Sequence, residues 1–153
     1  MYSIIRLITK IKTYIYKVVH YSLFDGVILY DTPTIVKHKN VYIGAGTRIN
    51  GNVYLHGAGK IRIGENVTLS YGTTILSTGY DTKNWHTNKT LKGHVNQAVT
   101  VGDNVWLGAN VTVLPGVDIA EGIIVAAGSV VNKDLDSSNA LYAGVPAKKI
   151  KNL

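Results

Sequence analysis

The chain has 153 residues, 46% of them hydrophobic, and its 16 Lys and Arg residues against 9 Asp and Glu residues give a net charge of +7. This size and composition suit one compact domain with a filled core. The absence of cysteine excludes disulfides, thiolate metal sites and a cysteine nucleophile. The surplus positive charge would attract phosphates, anionic glycans or acidic lipid headgroups. Nucleic acid is not an expected partner, because no binding motif is present and the charge is clustered at the two termini.

The first segment, residues 1–24, carries the pattern of an amphipathic helix. Its apolar positions follow helical spacing at Ile4, Ile8, Ile11, Ile15 and Val18, with Leu7 and Tyr14 beside them, while Arg6, Lys10 and Lys17 share another face. Because the many β-branched residues lower helix propensity, such a helix needs a surface to cover its apolar stripe. Two surfaces fit: the first coil or a neighbouring subunit on one hand, and a membrane near a lipid-linked sugar on the other.

The same basic residues interrupt what would be the apolar region of a secretory signal. No apolar run approaches the roughly 18 residues of a membrane span. We therefore expect a cytoplasmic protein that stays in the cytosol or associates with the inner membrane face.

Residues 25–151 are dominated by a period of six that is most regular from Val101 to Val131. Aliphatic residues open the hexads at Val101, Leu107, Val113, Ile119, Val125 and Val131, and residues that tolerate positive φ follow three places on, at Asn104, Asn110, Gly116, Gly122, Gly128 and Asp134. A strand has period two and a helix 3.6, so a period of six indicates a short strand, a corner and another short strand. This pattern predicts a parallel β-helix, whose coils bury their aliphatic ladder by stacking.

The repeat also runs earlier in the chain. Its aliphatic positions are Ile43, Ile49 and Leu55 and, after a slip of two residues, Ile63, Leu69 and Ile75; the turn positions are Gly46, Asn52, Asn66 and Gly72, with exceptions at Ala58 and Thr78. The hexads together predict about four to five coils, enough for a stacked core.

Between the two blocks lies a loop, residues 77–100, with no aliphatic ladder until its end. It concentrates chemistry-bearing side chains while the surrounding coils are nearly free of titratable groups: Tyr80, Asp81, Trp85, His86 and His94. A loop of this length inside a compact domain is usually functional. We expect it to protrude from the coil and to build the active site.

The most regular segment also carries a family resemblance. The motifs are Val101-Gly102-Asp103-Asn104-Val105-Trp106-Leu107-Gly108-Ala109, Leu114-Pro115-Gly116-Val117, Ala126-Ala127-Gly128-Ser129-Val130-Val131 and Ala143-Gly144-Val145-Pro146-Ala147-Lys148. They resemble the hexapeptide-repeat O-acetyltransferases that act on galactosides, maltose and capsular polysaccharides. The resemblance implies an all-β fold built on a left-handed parallel β-helix, a homotrimer, and metal-free transfer of an acetyl group from acetyl-CoA. The acceptor would be a hydroxyl of a sugar, of a nucleotide- or lipid-linked sugar, or of a surface polysaccharide.

Such a transfer needs a general base, because the acceptor hydroxyl must lose its proton as it attacks the thioester. A neutral imidazole is the side chain best matched to that task near pH 7, and a backbone N–H can stabilise the oxyanion. We expect His86 to be the base, with His94 as second choice and Asp81 as an orienting or acceptor-binding carboxylate. In many relatives a histidine stands where this chain has Tyr80, so one of the two loop histidines takes over that role or catalysis is lost.

The resemblance also suggests the acetyl-CoA site. Trp106 falls where relatives place an aromatic near the thioester arm and a neighbouring subunit's histidine. The backbone amides of Gly108, Ala109 and Ala127 correspond to a groove for the pantetheine arm, and Lys133 and Lys148 to contacts with the nucleotide phosphates. Each has a plainer alternative, since Trp106 could pack at an interface, small residues suit tight corners, and terminal lysines favour solubility.

Two other functions remain open from the sequence. Tyr80 at the usual histidine position makes a catalytically silent scaffold possible. A zinc enzyme on the same coil, similar to the γ-class carbonic anhydrases, would use His56, His86 and His94. The spacing of these histidines does not match that arrangement.

Overall fold

A computed structural model describes residues 2–83, 85–86 and 93–153 of the chain. Helix α1 (Tyr2–Val19) opens the chain, and a short 3-10 helix (Tyr21–Leu23) follows it. The chain then winds into five stacked coils of short strands, each strand pairing in parallel with the strands one coil above and below. The predicted parallel β-helix, its coil number and its N-terminal helix are therefore confirmed.

The strands occur in chain order as follows. Coil 1 contains β1 (Ile28–Leu29), β2 (Thr34–Val36) and β3 (Val41–Ile43), and coil 2 contains β4 (Arg48–Ile49), β5 (Tyr54–His56) and β6 (Ile61–Ile63). Coil 3 contains β7 (Thr68–Leu69) and β8 (Thr74–Leu76), then an excursion with β9 (Thr78–Tyr80) and β10 (His94–Asn96), and closes with β11 (Val99–Val101). Coil 4 contains β12 (Trp106–Leu107), β13 (Thr112–Val113) and β14 (Asp118–Ile119), and coil 5 contains β15 (Ile124–Val125) and β16 (Val130–Val131). A final antiparallel pair, β17 (Ala140–Ala143) and β18 (Lys148–Asn152), covers the last coil.

These strands stack into three faces of a triangular prism. Face A contains β1, β4, β7, β12, β15, β17 and β18, face B contains β2, β5, β8, β13 and β16, and face C contains β3, β6, β11 and β14. The AB edge and the BC edge are the corners at which the chain passes from face A to B and from face B to C.

The aliphatic ladder forms the core because one side chain of most short strands, and both end residues of β3, β6 and β11, point into the prism. On face A the ladder consists of Ile49, Leu69, Leu107 and Val125, which pair in register from coil to coil and are all buried. Each of these side chains covers the next, so burial depends on stacking and a single coil could not supply it.

The turn positions also follow the sequence pattern. Positive φ occurs at Gly46, Asn52, Asn66, Gly72, Asn104, Asn110, Gly116, Gly122 and Gly128. The exceptions in the pattern, Ala58 and Thr78, both lie on the BC edge, where the corner is not a simple turn. In coils 1 and 2 this corner holds 3-10 helices, His38–Asn40 and Gly57–Gly59, and the second of these produces the two-residue slip between Leu55 and Ile63. In coil 3 the excursion leaves from the same edge and the ladder resumes at Val99.

The last corner departs from the predicted repeat. Asp134 was placed at a turn position, but it is not among the positive-φ residues, and Leu135 bridges to Ile119 on face C. Leu135 follows Val131 by four residues, two fewer than in a regular hexad, so it takes the place of a ladder residue and is buried.

Helix α1 lies against coil 1, but not through its apolar stripe. The stripe that the sequence offered as a cap for the coil, Ile4, Ile8, Ile11, Ile15 and Val18, is exposed. The end of the ladder is instead covered by Phe24 and Val27, which are fully buried, with Tyr16 packed against them. The prediction that the stripe caps the coil is therefore wrong, because residues after the helix already fill that position.

Candidate active site

The excursion is a β-hairpin built on the BC edge. Strands β9 and β10 pair antiparallel, with Tyr80 opposite His94, Gly79 opposite Val95 and Thr78 opposite Asn96. The buried Ser77 fixes the base of the hairpin: its hydroxyl donates to the carbonyl oxygen of His56 at 2.6 Å and accepts from the amide of Gly59 at 2.9 Å. The hairpin therefore leaves the coil in a defined direction, although sequence reasoning missed Ser77.

Three rings gather on this hairpin. The Tyr80 and His94 ring centroids are 4.7 Å apart, and Trp85 meets Tyr80 edge-on at 5.9 Å. All three side chains are exposed. Tyr80, which stands where the sequence resemblance implies a histidine, therefore has an imidazole as its cross-strand neighbour.

The other two predicted catalytic residues, Asp81 and His86, follow β9 in the chain. Asp81 continues the pairing, with its amide donating to the Gly93 carbonyl at 2.8 Å, and its carboxylate accepts the Lys83 amide at 2.9 Å. Side chains alternate along a strand, so Asp81 points to the opposite side of the hairpin from Tyr80. His86 is exposed in the turn that follows Trp85. The structure brings His94, rather than Asp81 or His86, to Tyr80.

A second group of predicted residues lies along the AB edge, and we call it the AB strip: Trp106, Gly108, Ala109 and Ala127. Consecutive coils meet here through backbone bonds, from the Gly108 amide to the Val125 carbonyl at 2.9 Å and from the Gly128 amide to the Ala109 carbonyl at 2.8 Å. Along the outer side of this edge Ala127 is exposed and Ala109 is half-buried, whereas Gly108 is buried. The AB strip therefore runs along the coil axis with its small side chains at the surface only at Ala109 and Ala127.

Trp106 stands at the start of the AB strip on face A. Its side chain is 49% exposed, and its indole N–H donates to the Ser70 hydroxyl at 2.9 Å. Ser70 lies one coil below, since Trp106 pairs with Thr68. This bond sets the orientation of the indole, and no sequence signal pointed to Ser70 before the register of the coils was known.

Gly108 is small for a packing reason. A Cβ there would lie 2.7 Å from the Ala127 nitrogen and 2.8 Å from the Val125 oxygen, both backbone atoms of the next coil. The plainer alternative, that tight coils require a small residue, therefore holds for Gly108.

The two predicted phosphate-binding lysines are separated. The turn between β17 and β18 closes over the AB edge, with the Ala147 amide donating to the Val130 carbonyl at 2.8 Å, and Lys148 follows it at the end of the AB strip. Lys133 comes after β16, toward the BC edge of coil 5. Both lysines are exposed.

The hairpin and the AB strip occupy different parts of one chain. The hairpin leaves from the BC edge, which is the edge opposite face A, whereas Trp106 lies on face A. Face B separates the BC edge from the small residues of the AB edge.

A basic groove of about 510 Å³ lies on face C at the base of the excursion. Lys39, Lys60 and Arg62 line it, and Ala98 at the end of the excursion forms part of its wall. Arg62 is held with its guanidinium 5.0 Å from the Tyr42 ring centroid. The groove is suited to an anionic group.

The residues proposed for a zinc site are spread over the structure. His56 belongs to β5 in the coil, whereas His94 and His86 belong to the hairpin. Within the described part of the chain, no three His, Cys, Asp or Glu side chains come together as metal ligands would.

Comparisons with known proteins identify the repeat. The family model of the bacterial transferase hexapeptide, with six repeats, matches residues 98–133. This chain carries the bacterial transferase hexapeptide repeat. Its fold is similar to that of a maltose O-acetyltransferase from Clostridium difficile 630, with a TM-score of 0.81 and 26% identity over 90% of this chain and 74% of the other. A search of curated protein sequences found no significant match.

Two further similar structures contain the donor or its product. A hexapeptide-repeat acetyltransferase from Vibrio cholerae O1 biovar eltor, solved with acetyl-CoA, has a TM-score of 0.76 and 27% identity over 89% of this chain and 75% of the other. A galactoside acetyltransferase solved with coenzyme A has a TM-score of 0.71 and 28% identity over 82% of this chain and 64% of the other. The left-handed β-helix, the family resemblance and the acyltransferase class predicted from the sequence are confirmed.

Proposed function

We propose that this transferase moves the acetyl group of acetyl-CoA to a hydroxyl of a sugar, of a nucleotide- or lipid-linked sugar, or of a surface polysaccharide. Hexapeptide-repeat acetyltransferases with acetyl-CoA or coenzyme A bound support the donor. The observation that carries the proposal for this chain is the pairing of His94 with Tyr80. Tyr80 stands where the family resemblance implies a catalytic histidine, so His94 would supply the imidazole from the neighbouring strand.

The donor would lie along the AB strip. Ala127 is exposed and Ala109 is half-buried on the outer side of the edge, and both side chains are small. They would leave room for the pantetheine arm, which is long, narrow and able to bond with backbone groups. Trp106, oriented by Ser70, would contact the thioester end. Lys148, at the other end of the strip, would contact the nucleotide phosphates. Lys133 lies across face B from the strip, so any contact that it makes with the phosphates would come from that side.

The chemistry is a direct transfer. The acceptor oxygen attacks the thioester carbonyl carbon while the imidazole of His94 takes the hydroxyl proton. The C–S bond then breaks, and the same proton passes from the imidazole to the sulfur of the departing coenzyme A. A backbone N–H would stabilise the oxyanion of the tetrahedral intermediate. We choose His94 over His86 because a paired strand positions a base more firmly than a turn does.

The complete site would be made by two copies of the chain. In one copy the hairpin and Trp106 lie on opposite parts of the prism, so His94 and the thioester meet only if the hairpin of one subunit reaches the AB strip of the next. A homotrimer arranged head to tail around a closed ring repeats this contact three times. The resemblance implies the same assembly.

The acceptor would bind between the rings of the hairpin and the basic groove of face C. Tyr80 and Trp85 offer flat apolar surfaces with polar edges, which suit a sugar ring. Lys60 and Arg62 suit a phosphate or carboxylate carried by that sugar.

Paired histidine variants test this proposal. Acetyl transfer should be measured with acetyl-CoA and a panel of neutral sugars, sugar nucleotides and anionic glycans. His94→Ala should lower kcat by about 10² to 10⁴, the usual contribution of a general base. His86→Ala is the matched control, since it removes the same group from the same hairpin, and its rate should stay within about threefold of wild type.

The outcomes separate the alternatives. A large loss in His86→Ala with none in His94→Ala would return the role to His86. Wild-type protein that neither transfers nor hydrolyses acetyl-CoA with any acceptor of the panel would favour the catalytically silent scaffold.

A further inference from the structure

The N-terminal helix presents its apolar side to the outside. Nine apolar or aromatic side chains of α1 are between 52% and 71% exposed: Ile4, Ile5, Leu7, Ile8, Ile11, Tyr14, Ile15, Val18 and Val19. With about 3.6 residues per turn, these positions cover about half of the circumference of the helix. We call this surface the outer face of α1. A continuous exposed apolar surface of this kind normally has a partner.

The opposite side of α1 is fixed to coil 1 by specific contacts. Thr13 is buried there, and the Tyr16 hydroxyl lies 3.1 Å from Nε2 of His38. His20, just after the helix, stacks on His38 with ring centroids 4.6 Å apart, and the Lys17 ammonium donates to the Val27 carbonyl at 2.6 Å. These contacts determine the rotation of the helix, so the outer face points away from the β-helix.

The charge of the segment indicates what covers the outer face. Residues 2–24 contain no Asp or Glu, and Arg6, Lys10, Lys12 and Lys17 give the helix four positive charges. A second copy packed face to face would bring four like charges against them, which is unfavourable, whereas an anionic surface is attracted. An apolar stripe beside cationic side chains is the arrangement of helices that lie in a membrane interface.

The groove beside the helix has the same character. It measures about 380 Å³, lies between α1 and Tyr30 of coil 1, and has Ile5, Arg6, Thr9 and Lys10 in its lining. Two cations next to an apolar side chain suit the phosphate of a lipid headgroup. Tyr14 and Tyr21 are exposed as well, and tyrosine is enriched at the level of lipid headgroups.

We propose that α1 lies in the plane of an anionic lipid bilayer, with its outer face among the acyl chains and with Arg6, Lys10 and Lys12 at the phosphate level. Among the described residues, no helix is both long and apolar enough to cross a bilayer. The proposal concerns a helix parallel to the surface and does not depend on the catalytic proposal.

Vesicle sedimentation of the full chain tests the proposal. Wild-type protein should sediment with vesicles of phosphatidylcholine and phosphatidylglycerol, and much less with phosphatidylcholine alone or at raised salt. The double variant Ile8→Glu/Ile15→Glu should lose at least tenfold in apparent affinity, because two charges would enter the acyl region. Lys10→Gln/Lys12→Gln should lose affinity for the anionic vesicles only.

Ile150→Glu provides the matched control. Ile150 in β18 has the same exposure as Ile8, 59%. Ile150→Glu therefore makes on a different surface the same change as the single variant Ile8→Glu, and it should bind vesicles as wild type does, whereas Ile8→Glu should bind more weakly. Circular dichroism would test whether each variant keeps its fold, and light scattering would test whether it keeps the molecular mass of the wild type. The proposal is overturned if wild type does not bind the anionic vesicles, or if Ile8→Glu/Ile15→Glu binds them normally. A lower molecular mass of that variant would identify a second copy as the occupant and would also overturn it.

Discussion

Coil 4 and the excursion of coil 3 lie next to each other but owe their structures to different interactions. In coil 4 every strand pairs with a strand below, and Leu107 is buried between Leu69 and Val125. In the part of the excursion that the structure describes, β9 and β10 pair with each other and with no strand of the coils, and all residues of β10 are exposed. The ladder nevertheless continues from Ile75 to Val101 as if the excursion were absent. The comparison teaches that the BC edge can carry an insertion without any change in the core.

The comparison predicts very different costs for removing the same kind of side chain. Leu107→Ala would leave a cavity between two coils and should lower the free energy of unfolding by about 2 to 5 kcal/mol. Val95→Ala in the excursion should change it by no more than about 0.5 kcal/mol. Urea denaturation followed by circular dichroism measures both. Equal losses in the two variants would show that the excursion supports the coil.

The close stacking of coils can be tested at two glycines of the AB edge. In Gly108→Ala the new methyl group would meet backbone atoms of the next coil at 2.7 Å, so we expect a loss of about 1 to 3 kcal/mol. In Gly128→Ala the new methyl group would lie in open space, and the cost would come only from the strain of an alanine at a φ of +71°. We expect this strain to lower the free energy of unfolding by about 1 kcal/mol. Thermal denaturation of the two variants should rank them in that order. If Gly128→Ala proved the more damaging, close approach of the coils would not be the dominant cost at this edge.

A smaller effect concerns pH at the junction of α1 and coil 1. Burial, and then the charge of nearby His20, lowers the pKa of His38 below its ordinary 6.5. The unfolded chain therefore binds a proton more readily than the folded one. Stability should be complete above about pH 6.5 and should fall as the pH drops below that value, until His38 also titrates in the folded chain. The free energy of unfolding, measured by urea denaturation between pH 7 and 5, should decline less steeply in His38→Gln than in the wild type. An equally steep decline in the variant would show that other groups cause it.

The ladder could be predicted from the sequence because it is a local repeat. Each buried position lies six residues from the next, so Leu107 or Val125 can be assigned without knowledge of its partner. Even the irregular corners left a signal, since Ala58 and Thr78 broke the turn pattern at the BC edge. The short last corner did not, because Leu135 fits two different positions of the repeat and only its pairing with Ile119 distinguishes them.

The site was predictable only in part, because its geometry depends on contacts between distant residues. The chemical character of the excursion was visible in its histidines and aromatic residues, but the pairing of Tyr80 with His94 involves strands of three residues, too short for a clear period of two. The direction of the outer face of α1 was equally hidden. It is set by Tyr16 and His20 contacting His38, a residue of coil 1.

The central claim is that the hairpin of one subunit and the AB strip of another form one site, and subunit complementation tests it most directly. His94→Ala and Trp106→Ala proteins, each expected to be nearly inactive alone, would be denatured together, refolded as a mixture and assayed for acetyl transfer. A contact is intact only where the hairpin comes from a Trp106→Ala chain, which keeps His94, and the AB strip comes from a His94→Ala chain, which keeps Trp106. Random mixing in a closed ring gives this combination at about a quarter of the contacts, so activity should return to about a quarter of the wild-type value. Refolded mixtures that contain both chains in one oligomer yet remain as inactive as the separate variants would contradict the account.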